Sequence, residues 1–232
     1  MIYSMRGLSI DIGVHNLALY IEEFDSQALS LLKQDFPPEK KRYQFNNELV
    51  PACIPLFQQV YRNGTCIFMD KVNLCQEKGT RFNMTIFYNL TLYLHSIQSY
   101  IDTCSFVVIE EQLKRNPMAQ RVEQHCISWI LIHYLALPII RFPSRNKTNV
   151  LGAPRLKLDP KTQKYIKWKK SERKPFIKKW SCEKAKEILT LRGDSTTYKY
   201  IFTDRKKQDD LSDVITQMMA FKVKCFIDHK LT

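Results

Sequence analysis

Glycine is scarce, with six residues in a chain of 232. That is too few for the glycine-rich loops that cradle nucleotide phosphates. No run approaches the roughly 18 apolar residues read as a membrane span. The apolar run at the N-terminus ends at Asp11 and carries only Arg6, which makes a poor secretory signal; an amphipathic Arg/Ser-rich presequence is also missing. The seven cysteines form no C-x-x-C pair, and their odd number argues against a disulfide framework. His125 and His133 stand on no common ligand pattern, so a zinc site is not expected. These absences leave a chain expected in a reducing, intracellular compartment, not secreted, with most thiols acting as small core hydrophobes.

Acidic residues are also in deficit, 23 against 36 Lys and Arg, for a net charge of +13. Such an excess favours a polyanionic partner. Apolar residues make up 44% and aromatics 12%, the composition of a folded globule with a real core.

Hydrophobic patterning orders that core. Met5 to Ile12 reads as a strand, followed by a turn at Gly13-Val14-His15-Asn16, a second strand over Leu17–Glu23 and a third over Thr65–Val72. Thr85 to Tyr100 has helical spacing through Ile86, Leu90, Tyr93, Leu94 and Ile97. Ser105–Ile109 suits a buried central strand. A helix is expected over Pro117–Leu137, then a short strand at Ile139–Phe142, a helix near Phe176–Leu191 and a last helix over Gln208–Phe226. A three-strand meander followed by alternating helices and strands is an α/β order with one mixed sheet. It is the order of the ribonuclease H-like fold: a mixed five-stranded sheet flanked by helices. The chain is read as one domain over 1–232, with insertions at about 25–64 and 145–205.

Three acidic stations fall at element ends. Asp11 and Glu110 are each the lone acid on an otherwise apolar strand, where an ionised carboxylate is costly unless paired or bound to metal. The third is Asp209-Asp210-Leu211-Ser212-Asp213. With the last helix's apolar stripe centred on Leu211, Met218 and Cys225, ~100° per residue puts Asp210 roughly 80° off-centre, Asp213 about 140°, and Asp209 opposite the stripe. Asp210 and Asp213 lie one turn apart and can reach one site, with Asp210 the better placed. Each acid also has an ordinary role available, as a helix N-terminal charge or a turn residue. Carboxylates converging from several elements suit Mg²⁺, and two such ions ~3.5–4 Å apart drive phosphodiester hydrolysis.

Ile10-Asp11-Ile12-Gly13 with Asn16 and Leu17, then Ile109-Glu110-Glu111-Gln112, then Asp210 and Asp213 behind Lys206 and Lys207, resemble in that order the motifs of the RuvC-like Holliday junction resolvases. The likeness is to the poxvirus type found in large DNA viruses, and fungal mitochondrial resolvases are similar. Pro143-Ser144-Arg145-Asn146-Lys147 resembles the family's proline-led loop after the fifth strand. The resemblance covers about residues 6–23, 81–147 and 175–225. It implies a DNA endonuclease in which Asp11, Glu110, Asp210 and Asp213 hold two Mg²⁺, with Mn²⁺ as a substitute. It further implies a homodimer that cuts a four-way junction by paired symmetric nicks, and a viral protein acting in host cytoplasm or nucleus. Other ribonuclease H-like nucleases, cutting RNA–DNA hybrids or flaps, would present the same acids, because a fold does not specify a substrate. A non-catalytic DNA-binding protein would leave the strand acids unexplained. An actin-type nucleotide domain also opens with D-x-G but needs further glycine loops that this chain does not supply.

For DNA contact the sequence offers Lys114 and Arg115 just after the second acid, Lys147, and the basic stretch Arg155–Lys179. In that stretch Lys167, Lys169 and Lys170 flank Trp168 as phosphate contacts, with Trp168 a candidate for base stacking; Lys206 and Lys207 join them. The Pro117–Leu137 helix is the expected dimer contributor, through Trp129, Ile130, His133 and Tyr134.

Overall fold

The computed structural model describes residues 4–75, 83–113, 115–204 and 208–230. In chain order the elements are β1 (Ser4–Asp11), β2 (Leu17–Asp25), α1 (Ser26–Leu32), α2 (Ile54–Arg62), β3 (Thr65–Val72), α3 (Met84–Ser96), α4 (Gln98–Ile101) and β4 (Phe106–Glu111). There follow α5 (Pro117–His133), β5 (Ile139–Pro143), α6 (Ser144–Val150), β6 (Leu156–Leu158), β7 (Tyr165–Lys167), α7 (Lys170–Arg192), α8 (Ser195–Phe202) and α9 (Gln208–Lys222). The main sheet has the order β3-β2-β1-β4-β5. Its first three strands pair antiparallel, while β4 and β5 run parallel to β1. This is the mixed five-stranded α/β sheet expected from the sequence.

Period-two alternation splits the strands between two cores. Leu8 and Ile10 of β1, Leu17, Leu19 and Ile21 of β2, and Val107 and Ile109 of β4 pack under α3 and α5. Ala18, Tyr20 and Phe24, with Phe106, Val108 and Phe142, form the opposite core together with α2, α7 and α9. Gly7 stands on that second face, where a Cβ would come within 2.2 Å of the Phe106 ring. Gln217 seats α9 on the sheet, donating to Ser9 Oγ and Ile10 O at 3.1 Å and to Val108 O at 3.2 Å.

Three expectations are corrected. The Thr85–Tyr100 helix breaks at Ile97, so α3 ends at Ser96 and α4 is a separate short turn. Pro175 lies inside α7, which begins at Lys170 instead of after the proline. The proline-led loop expected at Pro143–Lys147 is instead the start of helix α6, Ser144–Val150, with Pro143 at its N-terminal boundary.

The 25–64 segment is a wall of the α9-side core, contributing Leu29, Phe36, Phe57, Val60 and Tyr61. Arg42 bridges to Asp228 at 2.6 Å with both side chains buried, fastening the segment to the end of the chain. A second buried ion cluster ties α7 and α9 to β2. Glu22, fully buried, accepts from Arg192 at 3.0 Å, Lys222 at 2.6 Å and the Tyr20 hydroxyl at 2.7 Å. All seven cysteines are free thiols. Among the described residues no helix is long and apolar enough to cross a membrane.

Candidate active site

The sheet register brings the first two acids together. Ile10 pairs with Ile109 across the parallel β1–β4 ladder, so Asp11 and Glu110 follow as neighbours at the carboxyl ends of both strands. Ligands of open α/β sheets gather at such ends. Both acids point to the α9 side, on the face of Ser9 and Val108, because residues two apart share a face. Glu111 points the other way, is exposed, and lies 3.9 Å from Arg141. Gly13 permits the turn that follows Asp11: a Cβ there would approach Asn16 O to 2.8 Å.

Asp213 joins these two from α9. Its Oδ1 accepts from Ser181 Oγ of α7 at 2.7 Å. Lys147 of α6 fills the centre of the group, its Nζ 3.1 Å from Glu110 Oε1 and 3.5 Å from Asp213 Oδ2. The lysine side chain is only 8% exposed. Burial alone would lower its pKa, but Asp213, Glu110 and Asp11 outweigh burial and hold the ammonium above its usual range.

The two strand acids are shifted in opposite directions. Burial, then the charge of Glu110, pushes the Asp11 carboxyl well above its usual range, and Asp11 hydrogen bonds to Glu110. Burial also works against ionised Glu110, but the Lys147 ammonium and hydrogen bonds from Asp11, Lys147 and Gln112 prevail and hold it below the usual range. The pair is therefore asymmetric, the Asp11 carboxyl shifted upward and that of Glu110 downward.

Asp210 and Asp209 take other partners. Asp210 binds Lys71 Nζ of β3 at 2.6 Å, and Asp209 binds Lys178 at 2.5 Å on the exposed side. The sequence phase favoured Asp210, but the structure brings Asp213 to the strand acids. The reason is the packing of α9, which is buried almost continuously from Leu211 to Lys222 between the sheet and α7. A stripe calculation assumes one buried face; this helix has two. Lys71, Ser181 and Gln217 were not singled out from sequence. Lys71 owes its place to the register, standing opposite Ala18, which stands opposite Asp11.

Among the described residues no group of three or more Asp, Glu, His or Cys side chains lies close enough to hold an ion as it stands. The donor set nonetheless fits a divalent cation. Three hard-oxygen carboxylates already surround one positive charge, that of Lys147. A cleft of 320 Å³ opens over them, lined by Glu110, Arg145, Lys147, Arg173, Ser181 and Asp213.

Among the residues expected to contact DNA, Arg115, Lys167 and Lys170 are exposed and border a neighbouring cleft, and Lys169 is exposed at the start of α7. The Trp168 ring is stacked on Phe176, centroids 4.0 Å apart, with Lys157 Nζ 5.7 Å from its centre. Lys114, Lys206 and Lys207 lie outside the described residues. His15 holds Asn73 Oδ1 and Cys75 O at 3.3 and 3.2 Å, away from the acids.

Sheet order and flanking helices define the fold as ribonuclease H-like. RuvC of Thermus thermophilus superposes with a TM-score of 0.51 over 97% of both chains at 9% identity. The mitochondrial Holliday junction resolvase of yeast gives 0.50 at 11% identity, over 97% of this chain and 82% of that one. No family model matches the chain. In sequence it is similar to the uncharacterized protein 170L of Invertebrate iridescent virus 6, 33% identical over 158 residues, and to protein 97L of Invertebrate iridescent virus 3, 25% identical over 156. The match spans 62% of this chain and 62% of protein 170L.

Proposed function

We propose that this chain is a divalent-metal-dependent DNA endonuclease that resolves four-way junctions by paired nicks. The observation that carries the reading is the convergence of Asp11, Glu110 and Asp213, from three separate elements, around the buried Lys147 ammonium. The RuvC-like fold supports it. In this reading Asp11, Glu110 and Asp213 hold Mg²⁺ or Mn²⁺, with Asp210 completing a two-ion set when it leaves Lys71. The ions, when bound, neutralise charge on the attacking water, the phosphoryl oxygens and the leaving oxygen. Lys147 holds Glu110 and Asp213 side by side, its ammonium between the two carboxyl groups. Ser181 fixes the Asp213 carboxylate by its hydrogen bond. Arg145 and Arg173 line the cleft where a phosphate would lie.

Paired nicks call for two sites related by a twofold axis. The dimer surface expected from sequence needs revision, because Trp129 and Ile130 are buried against the sheet. The 145–205 segment packs on the other side of the sheet and leaves the α3–α5 face open. The apolar residues free to meet a second copy are Met84, Tyr88 and Leu92 of α3 and Leu131 and Ile132 of α5, with Leu135 just beyond.

The test is cleavage of a four-way junction, linear duplex, flap and RNA–DNA hybrid, each with Mg²⁺ or with chelator. Mg²⁺-dependent junction cleavage is expected, abolished by Asp11→Asn and Glu110→Gln while junction binding survives. Faster cutting of the hybrid or flap would replace the resolvase reading with that of another nuclease. Metal-dependent cleavage surviving in either variant would remove the site assignment.

A further inference from the structure

The two segments outside the sheet, 25–64 and 145–205, meet beside the carboxylates. The small β6–β7 hairpin presents Tyr165, whose ring meets Phe45 edge-on with centroids 4.7 Å apart. Phe45 nevertheless remains 72% exposed. From this contact a cleft of 1020 Å³ runs to Asp213, sharing Arg173, Ile177 and Asp213 with the cleft over the acids. Its apolar lining comes from Phe45, Leu156, Trp168 and Ile177.

Seven lysines and arginines border this cleft against one acid, Asp213, so its natural occupant is an anion. Arg155 and Arg173 have no carboxylate partner among the described residues. Arg173 gives one N–H to the Pro154 carbonyl, and burial, then repulsion by Arg155, holds its guanidinium below the usual range. Arg155 donates to the neutral Asn149 Oδ1 at 3.1 Å. A backbone phosphate would answer both.

A duplex offers phosphates, but the faces of its bases are hidden in the stack. An exposed aromatic ring within a cationic cleft can stack only on bases that are unpaired and splayed out. We propose that this cleft is a subsite for unpaired DNA strand, with Phe45 stacking on a base and Arg155 and Arg173 taking phosphates. It deepens the nuclease reading by assigning the strand path beside the acids: DNA opened at a branch point would be held there.

The test is fluorescence anisotropy of a labelled oligo(dT) strand and of a duplex of equal length, in chelator so that cleavage plays no part. Tighter binding of the single strand is expected. Phe45→Ala should weaken it roughly 10-fold, the scale of one base–aromatic stack. The same change should leave duplex affinity unaltered, and Phe45→Tyr should restore the loss. Arg155→Gln should weaken both and flatten the salt dependence, as loss of a phosphate contact does. Single-strand affinity unchanged in Phe45→Ala, or single strand and duplex weakened alike, would overturn the subsite. Junction cleavage with Mg²⁺ is scored separately: its absence alongside the expected binding would remove the nuclease reading and leave the subsite standing.

Discussion

The Nζ of Lys147 lies 3.1 Å from the Glu110 carboxylate and holds Asp213 beside it, so a side chain occupies ground that a bound cation would contest. Replacing the lysine by Met keeps its bulk and removes the charge that offsets three acids. Metal-free Lys147→Met should lose stability, by up to the roughly 3–5 kcal/mol that breaking a buried pair costs. Mg²⁺ should then raise the Tm of the variant more than that of the wild type, because binding stabilises the folded state by mass action. Thermal unfolding with and without Mg²⁺ measures both. An equal rise in the two proteins would mean that the lysine and the metal do not share a site.

The last acidic cluster separates by partner. Asp213→Asn should reduce cleavage on the order of 100-fold or more, since it removes a charge facing Glu110 and Lys147. Asp209→Asn should stay near wild type, because that carboxylate is 40% exposed and, among the described residues, is paired with Lys178 away from the strand acids. Asp210→Asn tests the fourth ligand: a loss comparable to Asp213→Asn is expected if Asp210 exchanges Lys71 for metal. Single-turnover rates on a junction distinguish the three. Equal loss at Asp209 and Asp213, with folding intact, would refute this division of roles.

The strands and the two strand acids were legible because period-two alternation fixes both the sheet and the face of each residue. Asp11 and Glu110 stood out at the ends of apolar runs, and the resemblance to the family's I-E-x-Q motif picked Glu110 over Glu111. Lys147 was read as a DNA contact, since nothing in its local sequence says that α6 turns it inward onto Glu110. The α9 phase misled for a physical reason: a helix buried on two sides has no single stripe. The 25–64 segment gave no signal because it is built from short turns around α1 and α2, whose apolar residues only acquire meaning from the core they fill.

Glu22 anchors the fold instead of the chemistry. Its carboxylate is the counter-charge for both Arg192 and Lys222, and none of the three is more than 3% exposed. Glu22→Gln would leave two buried cations without an acid, at a cost of about 3–5 kcal/mol. Because the cluster lies off the active site, Mg²⁺ should not rescue this loss. Denaturant unfolding should show a lower midpoint with an unchanged slope. A midpoint within error of wild type would mean that the two cations find other partners.

The raised Asp11 carboxyl sets the pH dependence of metal binding. A carboxyl whose pKa is higher in the folded state binds more protons there than when unfolded, through the window between its usual and raised values. In the metal-free protein its contribution to stability therefore falls as pH rises through that window. Glu110, held low, contributes in the opposite sense, and its share is lost only as pH falls below the usual carboxylate range. A metal ligand must be deprotonated, so Mg²⁺ competes with the Asp11 proton. Affinity for Mg²⁺ should rise with pH above the ordinary carboxylate range, with release of up to about one proton per site. Calorimetric titration in two buffers of different ionisation enthalpy counts that proton, and Asp11→Asn should eliminate the buffer dependence. A wild-type binding enthalpy independent of buffer throughout the window would show that Asp11 gives up no proton when metal binds.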